Sequence, residues 1–240
     1  MGCYKEFIIL DQIAKLTFFE VHNAPDKPGI YAWYADLAMS AADLRHEIVG
    51  ENDVGARRFR HSIARHTARF DPPPTRLSSR SAFGGKWRGQ INDSSRLQLR
   101  RLIAGEELGD SASQMATKLA KATKDEGNRK MLADLLKQST PFLSAPLYIG
   151  VTNSLQRRLK EHTELFMEVR DAVKRDDQML SRLKQGSGEL FAHRAVAAEL
   201  EADHLLVYVQ PAGLGENTEA ILHSAEWLLN RWHRPLLGRN

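Results

Sequence analysis

The stretch Pro146–His162, PLYIGVTNSLQRRLKEH, decides how the rest of the chain is interpreted. It predicts a short apolar strand over Leu147–Val151, then a tight turn and a helix. Gly150 is expected to give the backbone freedom where the strand ends. The polar run Thr152–Ser154 offers side chains that can cap the helix by accepting hydrogen bonds from its first N–H groups.

Three polar side chains of this stretch are predicted to lie close together. Arg158 and His162 are four positions apart, so they are neighbours on one face of the helix. Tyr148 leaves the strand just before the turn. A phenol, a guanidinium and an imidazole over one patch of surface are suited to handling a phosphodiester.

Composition limits the class of protein. The chain has 240 residues, of which 42% are hydrophobic and 27% charged, which is typical of a soluble globular protein with one large domain or two small ones. Its net charge of +4 only weakly indicates an anionic partner. Cys3 is the single cysteine, so a disulfide framework is excluded and a reducing, cytoplasmic location is expected. No stretch predicts a signal peptide or a membrane span.

The remaining secondary structure follows from periodicity and turn residues. Strands are predicted at Gly29–Ala35 and Asp203–Pro211, and the helix from Leu155 is predicted to run past residue 180. Further helices are predicted at residues 4–20, 36–53, 94–104, 112–138 (broken near Gly127) and 191–200, with helix-like spacing at 54–70 and a last helix from Asn217 or Thr218 to near Pro235. Residues 78–90 are predicted to form a loop.

Two tripeptides begin a longer ordered pattern. Gly29-Ile30-Tyr31 and Tyr148-Ile149-Gly150 each lie in a predicted strand. Arg158 follows Tyr148 by ten positions, and His162 follows that arginine by four. A third strand comes next along the chain, and a helix bearing a glutamate follows it.

This pattern resembles the GIY-YIG endonuclease family, and its histidine resembles that of the type II restriction endonucleases in the family. Leu205–Val209 matches the family's third strand, and Glu226 matches its glutamate, with Pro235 nine positions later. The implied fold class is α/β (α+β), a small three-stranded antiparallel sheet flanked by helices. The family's asparagine usually stands three residues after the proline. That position is Gly238 here, so Asn240 is the candidate replacement.

The resemblance also implies a domain organisation. Residues 1–27 are expected to form an N-terminal helix and connector, and residues 28–35 together with 146–240 the nuclease core. Compact members join the first two strands by a short hairpin, whereas 116 residues separate the two tripeptides here. Residues 36–145 are therefore expected to form a large, mainly helical, basic subdomain inserted between the first two core strands.

The roles implied by the resemblance are those of a DNA phosphodiester hydrolase that depends on Mg²⁺ or Mn²⁺. Glu226 is expected to be the metal ligand, and Arg158 to hold the scissile phosphate. Tyr31 is preferred for contact with the attacking water, with Tyr148 and His162 orienting it and relaying protons. On its ordinary pKa alone, His162 is a better base than either phenol, so the identity of the general base stays open.

Simpler interpretations stand beside these roles. A strand tyrosine is more often a core or rim residue, and Arg158 beside Arg157 is usually a solvated helix face. Glu226 has Arg231 and Arg234 as possible ion-pair partners. For the whole chain, the alternatives are a repair or mobile-element nuclease of the same family and a non-catalytic nucleic-acid-binding module. RNA as a substrate and a homodimer are also left open.

The insertion is the candidate DNA-recognition element, with double-stranded DNA as the expected partner. Between residues 54 and 104 the only acidic residues are Asp71 and Asp93, so basic groups dominate. Trp87 is expected either to enter a groove of the DNA or to anchor its own loop. The candidate DNA-binding residues are Arg57, Arg58, Arg60, Arg65, Lys86, Trp87, Arg88 and Arg100.

Overall fold

The computed structural model describes residues 13–69, 75–80, 86–91, 118–184 and 190–238. Arg100, Asn240 and the helix predicted at 94–104 lie outside these residues. In chain order, the strands are β1 (Ala14–Thr17), β2 (Gly29–Ala35), β3 (Ile48–Val49), β4 (Asn52–Asp53), β5 (Thr75–Arg80), β6 (Lys86–Ile91), β7 (Tyr148–Thr152) and β8 (Leu205–Pro211). The α-helices are α1 (Ala41–Leu44), α2 (Val54–Arg69), α3 (Glu126–Leu143), α4 (Leu155–Arg175), α5 (Asp177–Arg182), α6 (Phe191–Ala197) and α7 (Thr218–His233).

The main sheet has four antiparallel strands in the order β1-β8-β2-β7. With the helices around it, it gives a mixed α+β fold, as the sequence predicts. Three of its strands lie where the sequence places strands, and the expected number of three is wrong because β1 adds a fourth at the edge. β1 pairs Ala14 with Val209 and Thr17 with Leu206, within a segment predicted to be helical.

The helix predicted at residues 4–20 is wrong over its described part. After β1 the chain forms a 3₁₀ helix at Phe18–Asn23. The backbone N–H of Thr17 donates to the Glu20 carboxylate at 3.0 Å, which fixes the start of that turn. Phe18 and Val21 are buried, so this turn packs against the core, and Ala14 and Leu16 of the predicted apolar stripe lie on β1 instead of a helix.

The core of this part of the chain lies between the sheet and α4. On β2, Tyr31, Trp33 and Ala35 alternate onto one buried face. The apolar stripe of α4, including Leu159 and Phe166, is buried as well. Burying each such large side chain contributes about 1.5–3 kcal/mol, so this face fixes the helix against the sheet.

The bounds of α4 and α6 differ from the sequence prediction, whereas those of α7 agree with it. α4 begins with Ser154 as its cap, whose hydroxyl accepts from the Arg157 N–H at 3.3 Å. It ends at Arg175, because Asp176 interrupts it and accepts from the Gln178 N–H at 2.9 Å to begin α5. The predicted run of one helix past residue 180 is therefore wrong. α6 ends at Ala197, somewhat earlier than predicted, and α7 ends at His233 with Arg234 in the left-handed region.

The chain divides into two compact units. One contains the residues up to Asp36 and from Leu143 onward, and the other contains residues 37–142. The sequence-based boundaries of the insertion are residues 36 and 145. In the described part of the chain, no helix combines the length and the apolar character needed to cross a lipid bilayer.

The second unit contains more strand than expected. Residues 36–53, predicted as a helix, form the short α1 and the β3–β4 hairpin. The loop predicted at 78–90 is largely a hairpin, because β5 pairs with β6 from Thr75↔Ile91 to Arg80↔Lys86. Lys86, Trp87 and Arg88 therefore lie on β6. Residues 118–122 are helical, and the break before α3 comes at 123–125, just ahead of Gly127.

A buried arginine holds the start of α2 and of α3 together. Arg129 is fully buried, and its guanidinium donates to the carbonyl oxygens of Thr123 and Arg45, each at 2.6 Å, and to the Asp53 carboxylate. Burial opposes ionisation of Asp53, but the Ala56 N–H and the Arg129 guanidinium, among other donors, lower its pKa to about 2. A paired buried charge of this kind is strongly destabilising to break.

Candidate active site

The five residues predicted to act together all lie in the first unit. Tyr31 is at the centre of β2, and Tyr148 is the first residue of β7. Arg158 and His162 are one turn apart on α4, and Glu226 is in the middle of α7. The structure therefore brings together side chains that are up to 195 positions apart in the sequence.

Gly150 explains how the phenol of Tyr31 fits against the sheet. In the β2–β7 register, Tyr31 pairs with Gly150. A Cβ at Gly150 would lie 2.5 Å from the Tyr31 hydroxyl oxygen and 2.9 Å from Tyr148 Cε1. The glycine thus provides room for two tyrosine rings. Its expected role in turning the chain is wrong, because it lies inside β7 and its φ is not positive.

Tyr31 and His162 form a buried hydrogen-bonded pair. The Tyr31 hydroxyl is 3.2 Å from His162 Nε2, and the two residues are only 1% and 7% exposed. The imidazole is packed among aromatic rings: Trp33 stacks on it with centroids 6.4 Å apart, and Phe191 lies at 5.5 Å.

The surroundings of this pair shift the pKa of both groups away from neutrality. Burial, and then the nearby Arg158 guanidinium, lower the pKa of His162 to about 3. Burial, and then the neighbouring Tyr148, raise the pKa of Tyr31, against a smaller opposing effect of Arg158. At neutral pH the pair is therefore an uncharged phenol bonded to an uncharged imidazole, with the bridging proton on one side or the other according to the imidazole tautomer.

Arg158 stands between the buried pair and solvent. Its Nη1 donates to the Glu161 carboxylate at 3.0 Å, and its side chain is 41% exposed. Burial lowers the pKa of Arg158, but interactions with the Tyr31 oxygen and with Glu161 outweigh it, so the net shift is upward. Its partner Glu161 is also approached by Arg157 at 3.5 Å.

A pocket of about 610 Å³ opens over these groups. Tyr148, Arg158, His162 and Glu226 all line it, whereas Tyr31 lies beneath its floor. Sequence reasoning missed several other residues of the wall, namely Glu161, Phe191, Arg194, His223, Trp227 and Asn230. The helical positions around Glu226, three before it and one and four after it, would have identified His223, Trp227 and Asn230.

Glu226 contacts a histidine of its own helix instead of the two arginines, Arg231 and Arg234, that could have paired with it. Its Oε2 is 3.6 Å from His223 Nδ1, and its side chain is 28% exposed at the pocket wall. Arg231 lies over the Trp227 ring, 5.6 Å from its centroid. Within the described residues, neither Arg231 nor Arg234 forms an ion pair with Glu226.

The carboxylates of the pocket are compatible with a weakly ligated hard cation. Among the residues that the structure describes, no group of three or more His, Cys, Asp or Glu side chains is placed to hold a metal ion. Mg²⁺ is often held by one or two carboxylates, with water and substrate phosphate completing its shell. Glu226, with Glu161 as the other acidic residue of the wall, meets that smaller requirement.

The segment that follows α7 is hydrogen-bonded to the residues just before the strand that carries Tyr148. The N–H groups of Leu236 and Leu237 donate to the carbonyl oxygens of Pro146 and Leu147, at 3.0 and 2.7 Å. The C-terminal residues after α7 therefore pair with the residues leading into β7. The asparagine expected to replace the family residue, Asn240, lies outside the described residues.

Comparisons with protein-family models, with curated proteins and with solved structures find no match for this chain.

Proposed function

We propose that this chain is a Mg²⁺-dependent endonuclease that hydrolyses phosphodiester bonds of double-stranded DNA, with the GIY-YIG restriction enzymes as its nearest analogue in motif pattern. One observation carries the proposal. Tyr148, Arg158, His162 and Glu226 share one pocket, and Tyr31 is hydrogen-bonded to His162 beneath it. These are the five residues that the family pattern selects from the whole sequence.

Arg158 is placed to bind the scissile phosphate. Its planar guanidinium forms strong paired hydrogen bonds with phosphate oxygens and stabilises the charge that develops on them. It is paired with Glu161, whose side chain is 44% exposed. Such an exposed ion pair is worth only about 0–1 kcal/mol, so a phosphate can displace the carboxylate at little cost.

Exposure assigns different tasks to the two tyrosines. Tyr148 lines the pocket, so we assign to it the orientation of the attacking water, in place of the contact first expected for Tyr31. Tyr31 then holds His162 in position through their hydrogen bond. Its lowered pKa makes His162 a weak base. The negative charge of a bound phosphate favours its protonated form and raises its pKa, so its basicity grows when substrate binds.

Glu226 is the residue that would hold the divalent cation. Bound Mg²⁺ or Mn²⁺ supplies positive charge to the phosphoryl oxygens and assists the leaving oxygen. Because Glu226 lines the same pocket as Arg158, Arg158 would bind the phosphate directly and Glu226 would act on it only through the cation that it holds. The reaction breaks the bond from phosphorus to the leaving ester oxygen and forms one to the attacking water oxygen.

The test is cleavage of plasmid and linear DNA with Mg²⁺ or with EDTA, using Arg158→Ala and Glu226→Gln. We expect discrete metal-dependent fragments from the wild-type protein. The Arg158 variant should be slower by about 10²–10³-fold, as is usual for removal of one charge-stabilising donor. Arg157→Ala and Glu168→Gln are the matched controls, since both residues are exposed and lie on the same helix outside the proposed machinery.

The outcomes separate the proposal from its alternatives. Equal activity of Arg158→Ala and Arg157→Ala would refute the proposed catalytic site. Tight binding of DNA without cleavage of any DNA would favour the non-catalytic binding module. Cutting only at branched or nicked substrates would favour a repair or mobile-element nuclease.

A further inference from the structure

The helix α2 in the second unit has an unusual composition. It contains five arginines and two histidines in 16 residues, with no aspartate or glutamate. Its inner face is held by Ala56, Phe59 and Ser62, which are all buried. The opposite face carries Arg57, His61 and Arg65 at intervals of four, so these three exposed side chains form one row along the helix.

Two of the four candidate arginines on α2 lie outside this exposed row. Arg58 donates to the Ala42 carbonyl oxygen at 2.9 Å and to the Glu47 carboxylate. Arg60 is half-buried, and burial together with the nearby Arg129 lowers its pKa. Arg58 is thus held within its own unit, and neither side chain is part of the exposed row.

The row itself lacks acidic partners. Within the described part of the chain, Arg57 and His61 form no hydrogen bond or ion pair, and Arg65 contacts only the Ser62 hydroxyl, at 3.3 Å.

Basic side chains on the exposed face of α4, in contrast, do have acidic partners. Arg157, Lys160 and Lys174 are each within 4 Å of a carboxylate on their own helix, at 3.5, 3.7 and 3.1 Å. The exposed cations of α4 named here are therefore paired with carboxylates, whereas Arg57 and Arg65 of α2 are not, within the residues that the structure describes.

We propose that the face of α2 formed by Arg57, His61 and Arg65 binds the phosphate backbone of duplex DNA. This inference rests on the proposed function, because DNA is the substrate that function assigns. Eight residues of helix separate Arg57 from Arg65, a rise of about 12 Å, close to the width of the major groove of about 12 Å. Guanidinium groups at the two ends of the row can therefore reach phosphates across or along a groove.

The experiment is a salt titration of duplex binding. A fluorescently labelled duplex of random sequence is titrated with protein in EDTA, at several salt concentrations, and anisotropy gives the affinity. For Arg57→Gln with Arg65→Gln, loss of two phosphate contacts should reduce the slope of log K against log salt by about 1.8. The same relation predicts a loss of affinity of roughly 10- to 100-fold at 0.1 M salt.

The matched control is Lys121→Gln with Lys130→Gln. Both lysines are exposed in the same unit, and the double variant removes the same formal charge. Lys130 has Glu126 and Asp134 one turn away on either side, so its charge is locally balanced. The control should keep the wild-type slope and affinity, and both double variants should keep the wild-type thermal midpoint.

Each outcome is decisive. An unchanged slope in the arginine variant, or equal losses in both double variants, would overturn the inference and leave the nuclease proposal standing. Wild-type binding that depends on the two arginines, without any cleavage, would support the inference and refute the nuclease proposal. Stronger binding of an RNA duplex or of a polyanionic peptide than of DNA would overturn the assignment of the ligand, and absence of duplex binding would overturn both.

Discussion

Replacing Gly150 by alanine should destabilise the first unit by overfilling the space between β2 and β7. The added Cβ would lie 2.5 Å from the Tyr31 hydroxyl oxygen and 2.7 Å from Tyr31 Cζ. Ordinary carbon contacts lie at about 3.5–4.0 Å, so the phenol ring would have to move by about 1 Å. Tyr31 is almost fully buried and hydrogen-bonded to His162, so the structure leaves it little room to do so.

The expected cost can be worked from these contacts. Overpacking of a well-filled core typically costs about 1–3 kcal/mol. Weakening of the Tyr31–His162 hydrogen bond adds about 0.5–1.5 kcal/mol. The free energy of unfolding should therefore fall by about 2–4 kcal/mol. With a urea slope near ~2 kcal/mol per molar, the unfolding midpoint would decrease by about 1–2 M.

Urea unfolding followed by circular dichroism measures this change, with Gly213→Ala as the control. No heavy atom lies within 4 Å of a Cβ at Gly213, and its φ is not positive. Alanine there should leave the midpoint unchanged or raise it slightly, because it restricts the unfolded chain. Both substitutions add one methyl group, so the difference between them isolates the contact with Tyr31.

A double-mutant cycle with Tyr31→Phe tests the cause directly. Removing the hydroxyl eliminates the 2.5 Å contact but leaves the one at Cζ, so the cost of Gly150→Ala should fall by about 1 kcal/mol in that background. Equal midpoints for the Gly150 and Gly213 variants would refute the reasoning. A cost that stays the same with and without the Tyr31 hydroxyl would place the clash elsewhere.

Two further predictions concern buried ionisable groups. The pKa of His162 is about 3 in the folded protein, against 6.5 for a free imidazole, so its contribution to stability is complete above pH 6.5 and is lost as the pH falls toward 3. Urea unfolding between pH 7 and 5 should show a flatter pH dependence for His162→Gln than for the wild type. Asp53→Asn should cost about 3–5 kcal/mol, because it leaves the buried Arg129 without its anion, and the exposed Asp134→Asn should change the unfolding free energy by less than about 0.5 kcal/mol.

The strands and helices that carry the site could be predicted because their local pattern matches their final environment. β2 alternates buried and half-buried residues along its whole length, and β7 and β8 are short apolar runs that end at polar or proline positions. α4 has an apolar stripe at helical spacing that is buried against the sheet. In α4 the periodicity of the sequence is the periodicity of burial, and in β7 and β8 the apolar run itself coincides with the buried residues.

The elements that could not be predicted depend on partners far away in the sequence. β1 has four residues and a mostly exposed pattern, and it is a strand because β8, almost 190 residues later, presents an edge to it. The β3–β4 hairpin and the start of α2 are held by hydrogen bonds from Arg129 to carbonyl oxygens and to Asp53. No pattern near residue 129 indicates that its guanidinium would be buried, since arginine is normally a surface residue.

The same limit applied to the candidate site. Order and spacing along the sequence predict its five residues, but they do not predict which side chains are exposed. A tyrosine in an apolar strand gives no sign of whether its hydroxyl faces a pocket or the core, and Tyr31 and Tyr148 differ in that respect. Which of the two phenols is exposed to solvent depends on how α4 and α6 pack over the sheet. Only the folded structure gives that packing.

Charge balance in the pocket gives a physical reason for the proposed metal requirement. Tyr31 and His162 are both uncharged at neutral pH, because burial shifts their pKa values in opposite directions away from neutrality. Arg158 is the proposed phosphate ligand, and Glu161 compensates its charge. A phosphodiester that displaces Glu161 brings one negative charge to a wall that also contains Glu226, so two carboxylates and a phosphate would face one another at close range.

Like charges in a partly dehydrated site repel strongly, and a divalent cation at Glu226 would turn that repulsion into attraction. The carboxylate that would otherwise oppose substrate binding then becomes the group that makes binding depend on the metal.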